Sequence, residues 1–495
     1  MDISVILAAV SFPAWLRITH FINILFIGLL MRSGIQILAA HPRLYWNIAC
    51  KPGSEWLRFT KKKVPRDKLW TSMDEEVKAS PLLALPGGEN LGLGRHWHFF
   101  SVTFWLLNGL IYVILLFATG EWSRLIPTSW DIIPRAIHTM GTYLTFHIPP
   151  KGDFQPYDPL QQLAYAAIVF LVAPLSLLTG AAMSPAIEGR FPWYPRLFGN
   201  RQVARSLHFI MLVIFVLFTI VHTLLVLVVY FDDNIRHIVL GTTQSSLGLA
   251  IAIAVVALAF VLLFYAWASW FTLRHKRGVQ HTLGHFVDRL QKLFLRRVTS
   301  AQDYSRADLT PYFWVNGRPP DTEEYKQLLE EGFKDWRLEV KGMVANPMHF
   351  SLDDLKRMPV TKQRTLHNCI QGWTGVAEWK GVCVSEILAT CGALPDVKYL
   401  VFTSLEEDSM GRPYYEVIDI ELACHPQTIL AYEMNGKPLP IPHGAPLRLR
   451  VETTLGFKMV KYLRSIELVQ SYRPFGNGQG GYREDVRYYG IDAEI

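Results

Sequence analysis

The sequence predicts an all-α membrane bundle of five transmembrane helices followed by an α+β domain, and two observations carry that prediction. Up to residue 271 the chain contains long apolar runs, each near the ~20 residues that a helix needs to cross a bilayer. From residue 306 onward, short strand-like stretches are broken by Gly and Pro and accompanied by two helix-like stretches. A chain of 495 residues is long enough for both parts.

The membrane part is predicted to span residues 1–271. Its first apolar run is too long for a cleaved signal peptide, and no small-residue cleavage site follows it. Arg17 and Arg32 lie in that run, and because charge is costly in lipid they are expected near its ends or against a polar group. The five apolar runs lie near residues 16–38, 97–119, 160–183, 206–230 and 247–271.

Basic residues outnumber acidic ones, giving a formal net charge of +7, which raises the possibility of a nucleic-acid partner. The basic residues cluster beside the apolar runs, however, and no nucleic-acid-binding motif is present. Charge flanking membrane helices explains this pattern better, so the predicted partner is membrane lipid and no nucleic acid.

Four histidines in the apolar runs are candidate metal ligands. His208 and His222 are 14 positions apart on the fourth run, so they share a helix face and lie roughly 21 Å apart along it. In antiparallel spans, His20 falls at the depth of His222, and His98 at the depth of His208. Two layers of paired imidazoles suit two b-type haems, each iron taking one ring from each side. Polar residues that pack the spans together are the alternative, and His96 competes with His98, which we favour because a longer apolar stretch follows it.

The motifs "RITHFINILF", "RHWHFF", "RSLHF" and "VHTLL" carry a family resemblance. Residues 13–230 resemble the di-haem cytochrome b subunits of Ni-Fe hydrogenases and membrane formate dehydrogenases. The resemblance implies that His20, His98, His208 and His222 ligate two haems b, and that electrons are exchanged with a quinone or quinol.

Charges beside the spans predict an orientation in the inner membrane of a bacterial-type cell. The segments on the side of residues 41–97 hold 21 Lys and Arg residues, whereas those on the opposite side hold 4. Because basic loops remain in the cytoplasm, the C-terminal domain is expected there. The family's usual start inside the cell would instead place it in the periplasm. Residues 272–305 form a basic connector with helical spacing, expected to lie along the bilayer surface or to be solvated.

The α+β domain is predicted to span residues 306–495. Predicted strands include "WRLEVKGMV", "KYLVFTSL", "PLRLRVE" and "IELVQSY", and predicted helices are "TEEYKQLLEEG" and "VSEILATCG". The chain has five cysteines and no CxxC pair, so each cysteine is judged singly. We expect Cys383, Cys391 and Cys424 to be inert core thiols.

Cys369, in "TLHNCIQGWTG", is predicted at a junction between a strand and a turn, where a thiolate can face a cofactor. Further along, "PIPHGAPLRLRVETTLGFKMVK" offers donors that suit phosphate. Residue chemistry alone leaves open a metal or phosphate-bearing cofactor site and an ordinary packed thiol. The candidate donors are His443, Arg448, Lys458 and Lys461.

On these two segments, residues 306–495 resemble the molybdopterin-binding domain of the sulfite oxidase family, in the branch that contains the methionine sulfoxide reductase catalytic subunit. The resemblance implies that Cys369 ligates molybdenum, and that His443, Arg448, Lys461 and Ser404 hold the pterin cofactor. Sulfite oxidases proper place arginines just after the ligand cysteine. In this chain those positions hold residues from Ile370 to Trp373, none of which is an arginine. The sequence therefore does not favour a small dianion over a sulfoxide-type substrate.

Together these inferences predict a quinone-linked molybdenum oxidoreductase that transfers an oxygen atom to or from a small substrate and moves electrons through two haems b. The haem of His98 and His208 is expected to be nearer the molybdenum domain. One alternative is an oxidase of a sulfite-type donor that feeds the quinone pool. Another is a haem electron carrier whose C-terminal domain only docks a partner.

Overall fold

The computed structural model describes residues 11–65, 67–150, 157–295 and 302–491. The chain forms two compact units. The first holds the residues up to Gly34 together with Trp97–Gly180 and Leu207–Arg274. The second holds Ile35–His96, Ala181–Ser206 and the residues from His275 onward, so two loops of the predicted membrane part group with the C-terminal region.

Five helices among the described residues are long and apolar enough to cross a membrane, which confirms the five predicted spans. The helices up to residue 295 are α1 (Ala14–Ala40), α2 (Leu91–Ala118), α3 (Ile132–Leu144), α4 (Pro159–Ala182), α5 (Pro185–Arg190), α6 (Trp193–Arg196), α7 (Arg201–Val228), α8 (Phe231–Leu240), α9 (Leu247–Arg274) and α10 (Lys276–Leu295). The five long apolar helices are α1, α2, α4, α7 and α9, and α4 contains one π-helical turn at Ile168–Val172.

The two arginines of α1 are bonded to polar groups of the first unit, as expected for charge in a span. Arg32 donates to the carbonyl oxygen of Tyr265 at 2.9 Å and to Ser269 Oγ at 2.7 Å, both on α9. Arg17 donates to the carbonyl oxygens of Phe12 and Val239. Each guanidinium therefore has backbone or hydroxyl oxygens in place of water.

The connector is helical as predicted over Lys276–Leu295, and residues 296–301 lie outside the described residues. Val279, Leu283 and Val287 are buried within the second unit. Gln280 Nε2 donates to the carbonyl oxygens of Glu484 and Tyr489, at 3.1 and 2.7 Å. These apolar residues of α10 therefore pack on protein, and the placement of the connector along the bilayer surface stays a prediction.

The C-terminal region is built from two five-stranded sheets, as predicted for an α+β domain. The strands are β1 (Arg43–Leu44), β2 (Leu57–Arg58), β3 (Leu338–Gly342), β4 (Met348–Phe350), β5 (Val360–Asn368), β6 (Thr374–Cys383), β7 (Tyr399–Glu407), β8 (Pro413–Asp419), β9 (Thr428–Met434), β10 (Lys437–Pro438), β11 (Arg448–Val451) and β12 (Leu463–Val469). The first sheet has the order β10-β9-β6-β5 with β11 also paired to β9, and the second sheet has the order β4-β3-β12-β7-β8. In the second sheet, only the β3–β12 pair is parallel.

Short helices connect these strands, and both predicted helices are present. The first begins where Thr322 Oγ1 accepts from the Tyr325 amide, a side-chain cap of the kind that fixes helix starts. The helices are α11 (Glu323–Glu330), α12 (Leu352–Arg357), α13 (Val384–Cys391), α14 (Ile420–Ala423) and α15 (Tyr482–Val486).

The largest hydrophobic core of the second unit lies among both sheets and the helices that pack on them. It includes alternate residues of β3 and β12, such as Leu338, Val340 and Ile466, which are fully buried. Cys391 lies in this core, as expected. Cys383 is only half-buried and Cys424 is exposed, so the prediction of a core thiol is wrong for Cys424.

Candidate functional site

Cys369 begins the turn between two paired strands. β5 and β6 run antiparallel with Asn368 opposite Thr374, and residues 369–373 close the hairpin. The turn is fixed by bonds from the Cys369 amide to the Trp373 carbonyl at 3.1 Å and from the Gly372 amide to the Cys369 carbonyl at 3.0 Å. Gly372 has φ +106°, a conformation that favours glycine. The predicted junction of strand and turn is therefore present.

The Cys369 thiol is buried, with 1% of the residue exposed. Its Sγ lies 3.7 Å from Gln371 Oε1 and 3.9 Å from Asn316 Nδ2. Burial raises the pKa of the thiol to about 12, against a smaller lowering by backbone bonding and by Arg201 and Arg483. Because a thiolate needs compensating positive charge, this environment suits a cysteine that gives up its proton only when a metal cation binds.

Residues far away in the sequence close the back of this turn. Gln202 Nε2, at the start of α7, donates to the Gly372 carbonyl at 2.9 Å. Gln371 Nε2 donates to the carbonyl of Ser72 at 3.2 Å, in the loop between α1 and α2. A Cβ on Gly372 would lie 2.9 Å from Arg205 Nε. Sequence reasoning missed these contacts, because no local pattern connects positions separated by 167 to 299 residues.

A cavity of about 530 Å³, mouth included, lies beside the turn. Its wall has three cationic side chains, one carboxylate and several aromatic rings, a mixture typical of ligand sites. Cys369 is not itself part of this wall, although its neighbours Trp373 and Asn316 are. The lining residues are Phe313, Trp314, Asn316, Gly317, His367, Trp373, Glu406, Tyr414, Pro442, His443, Arg448, Gly456, Phe457, Met459, Lys461 and Arg483.

Three of the five predicted cofactor-binding residues lie together on this wall: His443, Arg448 and Lys461. Gly444 lets their segment fold tightly, because it has φ +113° and a Cβ there would lie 2.9 Å from that of Lys461. Burial, together with neighbouring cations, lowers the pKa of Lys461 to about 7 and that of Arg448 to about 9. Crowded, buried cations of this kind are stabilised by an anion such as phosphate.

The other two predicted residues lie elsewhere. Ser404 is buried behind the wall, where its Oγ donates to the Lys461 carbonyl at 2.7 Å and accepts from the Glu406 amide at 2.9 Å. Lys458 is 2% exposed and forms ion pairs with Glu416, at 3.1 Å, and Glu484. Both carboxylates bind the Lys458 ammonium group, so the expectation that Lys458 offers a donor to a cofactor is wrong.

Two charged residues of the wall were not predicted from the sequence. Glu406 follows β7 residue Ser404 by two positions, and burial raises the pKa of its carboxyl group. Arg483 comes from α15, near the end of the chain, and its guanidinium lies 5.6 Å from the ring centre of Tyr414. Neither residue belongs to a recognisable motif, so only the folded chain places them at the cavity.

The wall fits a phosphate-bearing, metal-chelating cofactor. Arg448 Nε and Trp373 Nε1 are buried donors with no hydrogen-bond partner among the described residues. Buried donors are almost always paired in folded proteins, so unpaired donors in a cavity wall indicate a polar ligand. The buried thiol, the cationic wall and these donors together suit a pterin that carries a metal.

The four span histidines form two close pairs in the first unit. The ring centres are 6.2 Å apart for His20 and His222, and 6.3 Å apart for His98 and His208. An iron between two imidazoles needs about 6 Å, from roughly 2 Å per metal–nitrogen bond and about 1 Å from each nitrogen to its ring centre. His96 instead contacts the Tyr488 carbonyl through Nε2, at 3.1 Å. The geometry therefore fits two bis-imidazole sites with His98 in place of His96.

Two separate regions of the chain match known protein families. Residues 11–241 match the family model for prokaryotic cytochrome b561, and residues 326–474 match the family model for an oxidoreductase molybdopterin binding domain. The chain therefore joins a region similar to prokaryotic cytochrome b561 to a region similar to oxidoreductase molybdopterin binding domains.

Similar proteins act on sulfur compounds according to their names. A protein of Azospira oryzae, named as a candidate protein-methionine-sulfoxide reductase subunit YedZ1, is 37% identical over 37% of this chain and 64% of its own length. The protein-methionine-sulfoxide reductase catalytic subunit MsrP of Xanthomonas axonopodis is 36% identical over 27% of this chain and 45% of its own length. The chain thus spans under two thirds of the length of these curated relatives.

Among solved structures, the sulfane dehydrogenase SoxCD from Paracoccus pantotrophus is similar, with 26% sequence identity and a TM-score of 0.26. That match covers 30% of this chain and 40% of the other.

Proposed function

We propose that this protein reduces a sulfoxide-like substrate at a molybdopterin site, with electrons from the quinone pool that pass through two b-type haems. The observation that carries the proposal is the pairing, in one chain, of a buried thiol beside a cationic cavity with two imidazole pairs at ligation distance. The names of the similar proteins, which concern protein-methionine-sulfoxide reductases, support the substrate class.

Each part of the cavity has a stated role. Cys369 would hold molybdenum as a thiolate, and His443, Arg448 and Lys461 would hold the pterin phosphate through charge-assisted hydrogen bonds. The bound cofactor would supply the oxygen-atom transfer chemistry. The Cys369 turn is rigid because Gln202 and Gln371 fix it from behind, so the thiolate position would be set before cofactor binds.

The remaining wall suits a thioether-type substrate. Tyr414, Phe457 and Met459 supply apolar surface, and aromatic and thioether side chains contact sulfur groups favourably. Arg483 offers donors that would orient a sulfoxide oxygen. Its charge also favours an anion, which keeps a second candidate: oxidation of a sulfite-type donor into the quinone pool.

The proposed orientation places the C-terminal domain in the cytoplasm, on the strength of the 21-to-4 excess of basic residues. Two of these 21 basic residues, Arg43 and Arg201, are buried in the second unit. If they are left out of the count, the basic residues on this side still far outnumber the 4 on the other side. A C-terminal reporter that fluoresces only in the cytoplasm, paired with one that is active only in the periplasm, tests this proposal. Activity of the periplasmic reporter alone would reject it.

The function is tested on purified full-length protein. We expect one molybdenum and two irons per chain, haem reduction by a quinol, and haem reoxidation by methionine sulfoxide. The Cys369→Ser variant should lose more than roughly 100-fold in that reoxidation rate while its haem spectrum stays intact, since even changes around a metal ligand cost 10- to 100-fold. Cys424→Ser is the matched control, because that thiol is exposed.

The outcomes separate the candidates. Reoxidation by sulfoxide supports the reductase, and haem reduction by sulfite without any quinol supports the oxidase. Iron without molybdenum would mean that the chain is a haem electron carrier with a docking domain.

A further inference from the structure

The two imidazole pairs have different surroundings at Nδ1, the ring nitrogen that an iron on Nε2 leaves free. His98 Nδ1 lies 3.0 Å from Ser33 Oγ on α1. Ser33 Oγ itself donates to the Leu29 carbonyl at 2.7 Å. Because a hydroxyl has one proton, Ser33 must accept from His98, and the ring must carry its proton on Nδ1.

His208 is fixed in the same way by α4. Its Nδ1 lies 3.0 Å from the Ser176 carbonyl, which can only accept, and 3.2 Å from Thr179 Oγ1. The Thr179 hydroxyl proton goes to the Leu175 carbonyl at 2.7 Å. Both rings of the His98–His208 pair therefore donate from Nδ1 and leave the Nε2 lone pairs for a metal.

The His20–His222 pair has weaker acceptors. His222 Nδ1 contacts one group, the phenol hydroxyl of Tyr165, at 3.1 Å. His20 Nδ1 is buried and has no hydrogen-bond partner in the part of the chain that the structure describes. Among the described residues, the His222 ring therefore donates to a hydroxyl at most, and the His20 ring donates to no acceptor.

We propose that the His98–His208 pair holds the haem of lower reduction potential, and that the His20–His222 pair holds the haem of higher reduction potential. A ligand imidazole that donates to a carbonyl or hydroxyl becomes a stronger base. A stronger base stabilises ferric over ferrous iron and so lowers the potential, since outer hydrogen bonds are one of the protein's controls on haem. This inference rests on the proposed haem ligation.

The inference sets where an electron resides. When one electron is shared between the two haems, it would lie mainly on the one held by His20 and His222. Passage from that pair to the His98–His208 pair would be uphill, and the reverse passage downhill. Ser33 and Tyr165 are thus positioning residues, because their hydroxyls affect the reduction potential of the iron only through the imidazole rings that they contact.

A redox titration of the purified full-length protein, followed by haem absorbance, tests the order. We expect two separate waves. Ser33→Ala removes one acceptor from His98 and should raise the lower wave alone, whereas Ser33→Thr keeps the hydroxyl and should leave it in place. Tyr165→Phe should raise the upper wave alone.

Thr103→Ala is the matched control, because the Thr103 hydroxyl also donates to a carbonyl of its own helix, that of Phe99, at 2.9 Å. In the described parts of the chain the Thr103 hydroxyl bonds to no imidazole, so this variant should move neither wave. A shift of the upper wave in Ser33→Ala would overturn the proposed order while leaving two-haem ligation intact. Fewer than two low-spin haems per chain would overturn the ligation itself, and the order with it.

Discussion

The histidine pairs and the cysteine turn are built in opposite ways. The histidine pairs depend on spacing along straight helices, so one geometric rule, 100° per residue, brings His208 and His222 to one face. The cysteine turn depends on contacts between segments up to 331 residues apart, such as Gln371 with Ala40. The comparison teaches that a site on regular helices can be found from a sequence, whereas a site assembled from loops can be found only in part.

The largest expected effect concerns the helical site. His98→Ala should remove one of two haems and so about half of the haem absorbance, because an iron with a single imidazole is held poorly. His96→Ala should leave the haem content unchanged, since His96 contacts the Tyr488 carbonyl. Haem extracted from each purified variant is quantified against protein, and loss of haem in His96→Ala would show that the wrong histidine was chosen.

The next effect separates two lysines of one segment. Lys458→Met leaves Glu416 and Glu484 buried without a cation, which should cost about 3–5 kcal/mol of stability. Lys461→Met removes a wall cation and should instead lower the pterin content with a small change in unfolding temperature. Thermal unfolding and cofactor content are measured on both variants, and equal unfolding temperatures would reject this division of roles.

A smaller effect concerns the turn itself. Gly372→Ala forces a side chain into a left-handed backbone and against Arg205, at a cost of about 1–3 kcal/mol. Molybdenum content should fall while haem content stays constant. Gly411→Ala, at φ +71° with no atom within 4 Å of the new Cβ, is the control for backbone strain alone. Equal molybdenum loss in both variants would show that contact with Arg205 is irrelevant.

The smallest expected effect is a pH dependence of anion binding in cofactor-free protein. Burial lowers the pKa of Lys461 to about 7, so its ammonium group is charged below that pH and neutral above it. Between about pH 7 and 10 the folded protein binds fewer protons at Lys461 than the unfolded chain does, so the free energy of unfolding rises with pH there. Below pH 7 the ammonium group is charged in both states, and the destabilisation caused by burying its charge is complete. Phosphate binding should instead weaken as the pH rises through 7, because Lys461 then loses its positive charge.

Inorganic phosphate should therefore protect cofactor-free protein against thermal unfolding more at pH 6 than at pH 8, by up to roughly tenfold in affinity for each pH unit above 7. Lys461→Arg keeps its charge and should lose this dependence. A pH dependence that survives in Lys461→Arg would assign the effect to another group.

The sequence predicted the spans, the main strands, the histidine pairs and the cysteine turn, because periodicity and turn chemistry are local properties. It did not predict Glu406 or Arg483 in the cavity wall, since both arrive there by tertiary folding from segments without a motif. It also misjudged Lys458, because the two carboxylates that bind it lie on β8 and α15. Charge in a motif indicates a donor, and only the fold shows which acceptor receives it.

The closure of the cysteine turn by Ser72 and Gln202 has a consequence for biosynthesis. The ribosome makes Ser72 about 300 residues before Gln371, a delay of roughly 15–60 s at usual elongation rates. During that time the carbonyl of Ser72 would lack the partner that Gln371 supplies in the folded protein. Whichever face of the bilayer receives the loop that contains Ser72 must later receive the C-terminal chain too, and a nascent chain that sorts the two to opposite faces could never complete the turn.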